Sequence, residues 1–205
     1  MQEVILITGA SSGIGYDMAK VLAKKGYNLA ITARRKDRLE RLQAELQAKH
    51  NVNIHVFTAD LSKTENAKKL YKEVRSKGLV ISKLVNNAGF GGYGAFSQTN
   101  LETELDMIQL NISSLVCLTK LALEDMKEAN KGSILNVGSL LSFFPFPYYA
   151  VYAATKAFVL SFSEALRSEL SETKISVSVL CPGPTETEFT DEKMLNTNSY
   201  KSMKM

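Results

Sequence analysis

The stretch YYAVYAATK at 148 to 156 sets three tyrosines and a lysine close together. On an α-helix, residues share a face only when three or four positions apart. Tyr152 has Lys156 at that offset, whereas Tyr148 meets Tyr152 and Tyr149 meets Ala153. A phenol beside an ammonium is a candidate acid or base. Its ordinary pKa of about 10 makes it a poor base. A cation at roughly 4 Å, in an effective dielectric near 20, favours the phenolate by about 4 kcal/mol, or roughly three pKa units. That shift would bring Tyr152 towards neutrality, where general acid–base catalysis is most effective. Taken alone, the pair is also what an amphipathic helix carries when a partly buried phenol lies beside a solvated amine.

A second constellation lies near the amino end, where TGASSGIG follows the apolar run VILIT. Gly9, Gly13 and Gly15, with Ser11, Ser12 and Ile14 between them, sit where a strand should turn into a helix. Glycine permits close backbone approach, and the free N–H groups of a helix start favour a phosphate. The spacing differs from the commoner G-x-G-x-x-G, and a tight turn is the plainer alternative. In a dinucleotide site, the residues ending the second strand meet the adenosine ribose. Here they are Ala33, Arg34 and Arg35. Guanidinium groups suit a 2′-phosphate, which favours NADP over NAD, unless they merely open a charged helix. Asp60 closes the third apolar run, followed by Leu61, and is placed to meet the adenine amino group.

Strands and helices must alternate to carry these groups. Short β-branched runs occur at 4 to 8, 27 to 32, 53 to 58, 81 to 85, 132 to 137 and 174 to 180. Between them lie stretches with helical period, notably 34 to 50 and 101 to 129. This alternation predicts a doubly wound, Rossmann-type α/β fold: a parallel sheet with helices on both faces, in three layers. Ligands of such folds bind beyond the carboxyl ends of the strands, so the loops after each run should open on one edge. Residues 1 to 205 read as one dinucleotide-binding domain, with a polar, weakly patterned tail from about Thr190.

Composition agrees with a soluble globular chain: 45% hydrophobic, 22% charged, net charge +4 without a block of like charge. This argues against a nucleic-acid partner. Cys117 and Cys181 are far apart in apolar surroundings, as reduced core thiols would be, and His50 and His55 lack metal-ligand company. No metal is expected. Neither a signal peptide nor an apolar run of the roughly 18 to 20 residues that span a bilayer is evident, so a cytoplasmic protein off the membrane is expected.

TGASSGIG, Asp60, NNAG at 86 to 89, Asn111, Ser139, Tyr152, Lys156 and Pro182-Gly183 occur in one order on this scaffold. The set resembles the classical short-chain dehydrogenase/reductase family across residues 3 to 189. The resemblance implies that Tyr152 of Y-x-x-x-K is the general acid/base of hydride transfer between a carbonyl compound and an alcohol. It implies that Ser139 hydrogen-bonds the substrate oxygen, with Ser142 a weaker competitor. Asn111 would hold a water linking Lys156 to solvent; its alternative is a buried polar residue that kinks the helix or satisfies backbone groups. Asn87, Ala88 and Gly89 would line the adenosine side, and Pro182 and Gly183 would close over the nicotinamide. Thr187 would meet the carboxamide through its hydroxyl and Thr185 through its backbone, at a position where relatives more often have an apolar β-branched residue.

Family members usually continue past this length, so a helical lid and a last strand are expected beyond residue 205 or lacking. Gly91, Gly92, Tyr93, Gly94, Phe143, Phe144, Phe146 and Tyr149 are expected at the rim and wall of an apolar pocket, or else over the core. A hydrophobic ketone, aldehyde or secondary alcohol would suit them. The alternatives are a nucleotide-binding regulator on the same fold and a family member of another reaction type, an epimerase or dehydratase. Wide apolar faces on the 101 to 129 and 150 to 170 helices predict a homodimer, or a homotetramer with a longer carboxyl end.

Overall fold

The computed structural model describes residues 1–185. Its strands are β1 (Gln2–Thr8), β2 (Leu29–Ala33), β3 (Ile54–Thr58), β4 (Leu79–Asn86), β5 (Gly132–Val137) and β6 (Ile175–Leu180). The helices are α1 (Gly13–Lys24), α2 (Lys36–Lys49), α3 (Thr64–Ser76), α4 (Leu101–Ile108), α5 (Leu115–Glu128) and α6 (Ala150–Glu169). All neighbouring strands pair in parallel, in the order β3-β2-β1-β4-β5-β6. Each apolar run of the sequence became one strand, and Thr58 and Val137 end theirs where the patterns stop.

The pleat of β1 explains the layers. Alternate residues of a strand point to opposite faces. Val4 and Leu6 enter a core with Ala67 and Leu70 of α3, Leu118 and Ala122 of α5, and Leu166 of α6. Ile5 and Ile7 enter a second core with Ala19 and Ala23 of α1 and Leu39, Leu42 and Leu46 of α2. β6 departs from two-sided burial: Ile175 and Val177 are buried, while the alternating Ser176 and Ser178 are exposed.

α4 and α5 are joined by a π-turn at Gln109–Ser114 and form one continuous helix, Leu101–Glu128. That helix is long and apolar enough to cross a membrane by length and composition, which the run-by-run reading of the sequence did not reveal. Met107, Leu115, Leu118, Ala122 and Met126 are nevertheless buried in the protein core. Strand order reverses at β1 and β4, and the loops that follow these two strands lie side by side at their carboxyl ends.

Candidate active site

The glycine loop is shaped by Asn87. Asn87 Nδ2 donates to the carbonyls of Thr8 and Gly9, at 2.9 and 3.2 Å. In return Thr8 Oγ1 accepts from the N–H groups of Asn87 and Ala88, at 3.0 and 2.9 Å. A Cβ on Gly9 would lie 2.7 Å from Asn87 Nδ2, and its φ of +68° is itself one that favours glycine. A Cβ on Gly15 would run into the same amide nitrogen and the Gly9 carbonyl. The loops after β1 and β4 are thereby laced together, and the start of α1 is fixed over the cleft. Ser12 precedes α1 without a side-chain cap, so the first N–H groups of the helix retain their capacity to meet an anion.

Arg35 points back onto this loop. Its Nη2 donates to Ser12 Oγ at 2.8 Å and to Ser11 Oγ at 3.1 Å, and its Nε to Ser11 Oγ at 3.3 Å. Arg34 is exposed and stands near Asp60. Burial pushes the Asp60 carboxyl up, but the Ser62 hydrogen bonds and the nearby Arg34 charge outweigh it and hold it below its ordinary value. Asp60 Oδ1 accepts from Ser62 N at 3.1 Å. The Leu61 side chain belongs to the core.

At the centre, Tyr152 and Lys156 lie on the sheet-facing side of α6 with Val159, Ser163 and Leu166, all buried. Ser139 opens a 3-10 turn, Leu140–Ser142, and its Oγ accepts from Leu141 N at 3.1 Å. It is also hydrogen-bonded to the Tyr152 hydroxyl, a contact that favours the phenolate. Ser142 Oγ instead accepts from Ser139 N at 3.1 Å. It therefore secures the turn, and Ser139 is the hydroxyl presented to the cleft.

The electrostatics differ from the expectation of a near-neutral phenol. Lys156 Nζ donates to the Val137 carbonyl at 2.8 Å and lies 5.8 Å from the Tyr152 ring centroid. Burial raises the Tyr152 pKa above its ordinary value despite Ser139, and lowers Lys156 to about 8. Desolvation disfavours both charged forms, and the ammonium is spent on a carbonyl instead of the phenol. In the chain by itself Tyr152 is thus a protonated acid at neutral pH.

Asn111 sits in the π-turn, where Oδ1 accepts from Phe90 N at 3.2 Å and Nδ2 donates to Phe90 O at 3.0 Å and Thr155 Oγ1 at 3.1 Å. Its side chain is a clasp between the loop after β4 and α6. The side chain thereby satisfies the Phe90 backbone groups, the alternative role that the sequence left open for it. A Cβ on Gly89 would come 2.9 Å from Asn111 Oδ1 and 3.6 Å from Lys156 Nζ. Across the cleft the Pro182 carbonyl accepts from Leu140 N at 2.9 Å. Thr185 Oγ1 donates to the Gly183 carbonyl at 3.0 Å. Thr187 lies outside the described residues.

These groups converge on a cavity of about 470 Å³. Among the described residues, every expected catalytic and cofactor-binding residue lines it except Gly15 and Asn111, which act from behind through Asn87 and Phe90. Of the expected pocket rim and wall, Gly91, Gly92, Tyr93, Phe146 and Tyr149 line it, whereas Gly94 and the exposed Phe143 and Phe144 do not. The sequence profile described as short chain dehydrogenase matches residues 3–198.

The chain belongs to the classical short-chain dehydrogenase family.

It is 36% identical over 202 residues to human 17-beta-hydroxysteroid dehydrogenase type 3, covering 97% of this chain and 63% of that protein. It therefore spans less than two thirds of the length of that curated relative. A short-chain dehydrogenase from Sphingobium yanoikuyae in complex with NADPH superposes with a TM-score of 0.87 at 36% identity, over 92% of this chain and 73% of that one. A bulky-bulky ketone specific alcohol dehydrogenase from Comamonas testosteroni gives 0.84 at 37% identity, over 89% and 73%.

For a short-chain dehydrogenase site, two participants here could not be read from side-chain types. The Val137 carbonyl that accepts the Lys156 hydrogen bond is a backbone group. Phe90 serves through its own N–H and carbonyl, and only the glycines around it in GFGG hint at a backbone-lined wall.

Proposed function

We propose that the protein is an NADP(H)-dependent oxidoreductase that interconverts a ketone or aldehyde and an alcohol, with Tyr152 as general acid/base. One observation carries this reading. The Ser139 and Tyr152 hydroxyls are hydrogen-bonded to each other beside buried Lys156, in the cavity that also reaches the glycine loop and Arg35. The cradle fits a dinucleotide: Gly9 and Gly15 leave no room for a Cβ, and Arg35 with Ser11 and Ser12 forms a donor cluster suited to a phosphate.

When bound, the nicotinamide supplies or accepts the hydride. Ser139 orients the substrate oxygen, and Tyr152 gives it a proton in reduction or removes one in oxidation. Lys156, with a pKa near 8, can restore that proton from a buried position. Arg35 favours NADP over NAD, because its guanidinium is already held at the glycine loop. The name of the S. yanoikuyae structure, with NADPH, and that of the C. testosteroni enzyme, with ketones, support the cofactor and substrate class.

The test is a panel of carbonyl compounds followed by NADPH absorbance. Turnover is expected with apolar ketones or aldehydes and should fall at least a hundredfold in Tyr152→Phe, the scale of a lost general acid, while NADPH binding persists. In the same assay Arg35→Ala should raise the KM for NADPH roughly tenfold, the worth of a charged hydrogen bond, and leave NADH nearly unchanged. Full activity of Tyr152→Phe would refute the mechanism.

A further inference from the structure

Beyond Tyr152 the cavity wall is aromatic and built from two loops. The Tyr149 ring is buried and packs 6.1 Å from Tyr152, 5.0 Å from Tyr93 and 5.7 Å from Phe146. Tyr93, Phe146 and Tyr149 all line the cavity. The wall is held by a costly backbone. Tyr148 adopts a φ of +67°, a region that a bulky residue rarely occupies. In that conformation its carbonyl accepts from Gly94 N at 2.9 Å, and its ring lies 5.6 Å from that of Tyr93. Strain of this kind persists where the surroundings over-determine it, and it clusters at ligand clamps. Here it ties the loop after β4 to the segment entering α6, so that the two aromatic faces keep their relative tilt.

Charge is segregated within the cavity. Arg34, Arg35 and Asp60 stand at the ends of β2 and β3, and Lys156 is turned to Val137. Tyr93, Phe146 and Tyr149 form an aromatic part of the same lining. Aromatic rings gain from edge and offset contacts with other rings beyond the area they bury. A saturated ring of similar size gains the area alone.

We propose that this wall seats a flat aromatic ring of the substrate, making Tyr149, with Tyr93, a specificity-determining residue for aryl-substituted ketones. This rests on the oxidoreductase reading for its chemistry, but the seat itself does not depend on turnover. A carbonyl oxygen held at Ser139 and Tyr152 has a substituent within reach of Tyr149, whose ring lies 6.1 Å from that of Tyr152.

The experiment compares 4-phenylbutan-2-one with 4-cyclohexylbutan-2-one, using the full chain and NADPH. Neither carbonyl is conjugated to its ring, so intrinsic reactivity is matched. The aryl ketone should have a kcat/KM about two- to tenfold higher. The ratio should fall to about one in Tyr149→Leu and persist in Tyr149→Phe. If the leucine variant does not fold, Tyr93→Leu should show the same loss. A ratio of one or below in the parent chain, or one unchanged in both leucine variants, overturns the proposal. If neither these ketones nor any carbonyl compound of the wider panel is reduced with NADPH or NADH, the oxidoreductase reading fails on its own. Calorimetric binding of the same pair then decides: tighter binding of the aryl compound supports the seat, and equal binding overturns it.

Discussion

Lys156 shows how burial and proximity compete at a single residue. Proximity alone argues for an ammonium that acidifies Tyr152, but depth in the fold matters more: the lysine is 5% exposed and its proton goes to a carbonyl. The consequence can be measured as stability. Between its folded pKa of about 8 and its ordinary 10.5, the unfolded chain holds more protons than the folded one. Folding stability should therefore rise with pH across that window, because the penalty of burying the charge disappears as the lysine deprotonates. The gain is on the order of 3 kcal/mol at full extent. Lys156→Met removes this titration. The melting temperature of the parent chain relative to Lys156→Met should then climb by several degrees between pH 7.5 and 9.5. A constant difference would mean that the ammonium is not desolvated as described.

At the scale of elements, α6 must present Tyr152 at a fixed height against the sheet, and apolar packing alone resists sliding poorly. A buried polar chain supplies the registration. Asn86 Nδ2 donates to Thr119 Oγ1 and Asn136 Oδ1, both at 2.9 Å, and Asn136 Nδ2 donates to Ser163 Oγ at 2.9 Å. It joins α5, β4, β5 and α6, and Ser163 lies two turns beyond Lys156 on the same helix face. Removing one member leaves buried partners unsatisfied at about 1 to 3 kcal/mol each. Asn136→Ala should therefore cost about 2 to 4 kcal/mol in urea unfolding. Asn86→Leu combined with Asn136→Leu should cost less than the sum of the two, since Ser163 already donates to the Val159 carbonyl and Thr119 can do the same within its helix. Strict additivity would count against a connected network.

The same residues show what was legible beforehand. Six β-branched runs announced six strands because a strand buried on both faces needs little else. Tyr152 and Lys156 were found because helical spacing is periodic. Other features left no such trace. Asn87 explains Gly9 and Gly15 through a side chain more than seventy residues away. The π-turn at Asn111 depends on tertiary contacts with Phe90 and Thr155. That Arg35, more than Arg34, turns to the glycine loop is decided by backbone geometry entering α2, where either arginine had the right chemistry.

At the scale of the whole molecule, the surface of the helix pair is less settled than the core. Leu101, Leu105 and Ile108 recur along one side of α4 and are 63%, 49% and 37% exposed, and Phe158 of α6 is 37% exposed. Between α5 and α6 runs a groove of about 230 Å³ lined by Val116, Leu123 and Phe162, with Lys120, Lys127 and Glu169 among its polar lining. Scattered apolar residues on a surface need no explanation, but rows at helical spacing with a polar rim suit a helix from another molecule. Two copies related by a twofold axis would lay the same helices against each other, as the self-complementary patch of a C2 interface requires. We therefore expect a homodimer, with twice the 22.6 kDa chain mass in light scattering at micromolar concentration. Leu105→Lys introduces a charge at a half-exposed position that contributes little to the core, so it should yield a monomer whose own helix content is unchanged. A monomeric parent chain would refute the interface, and a Leu105→Lys variant that remains dimeric would move it to another face.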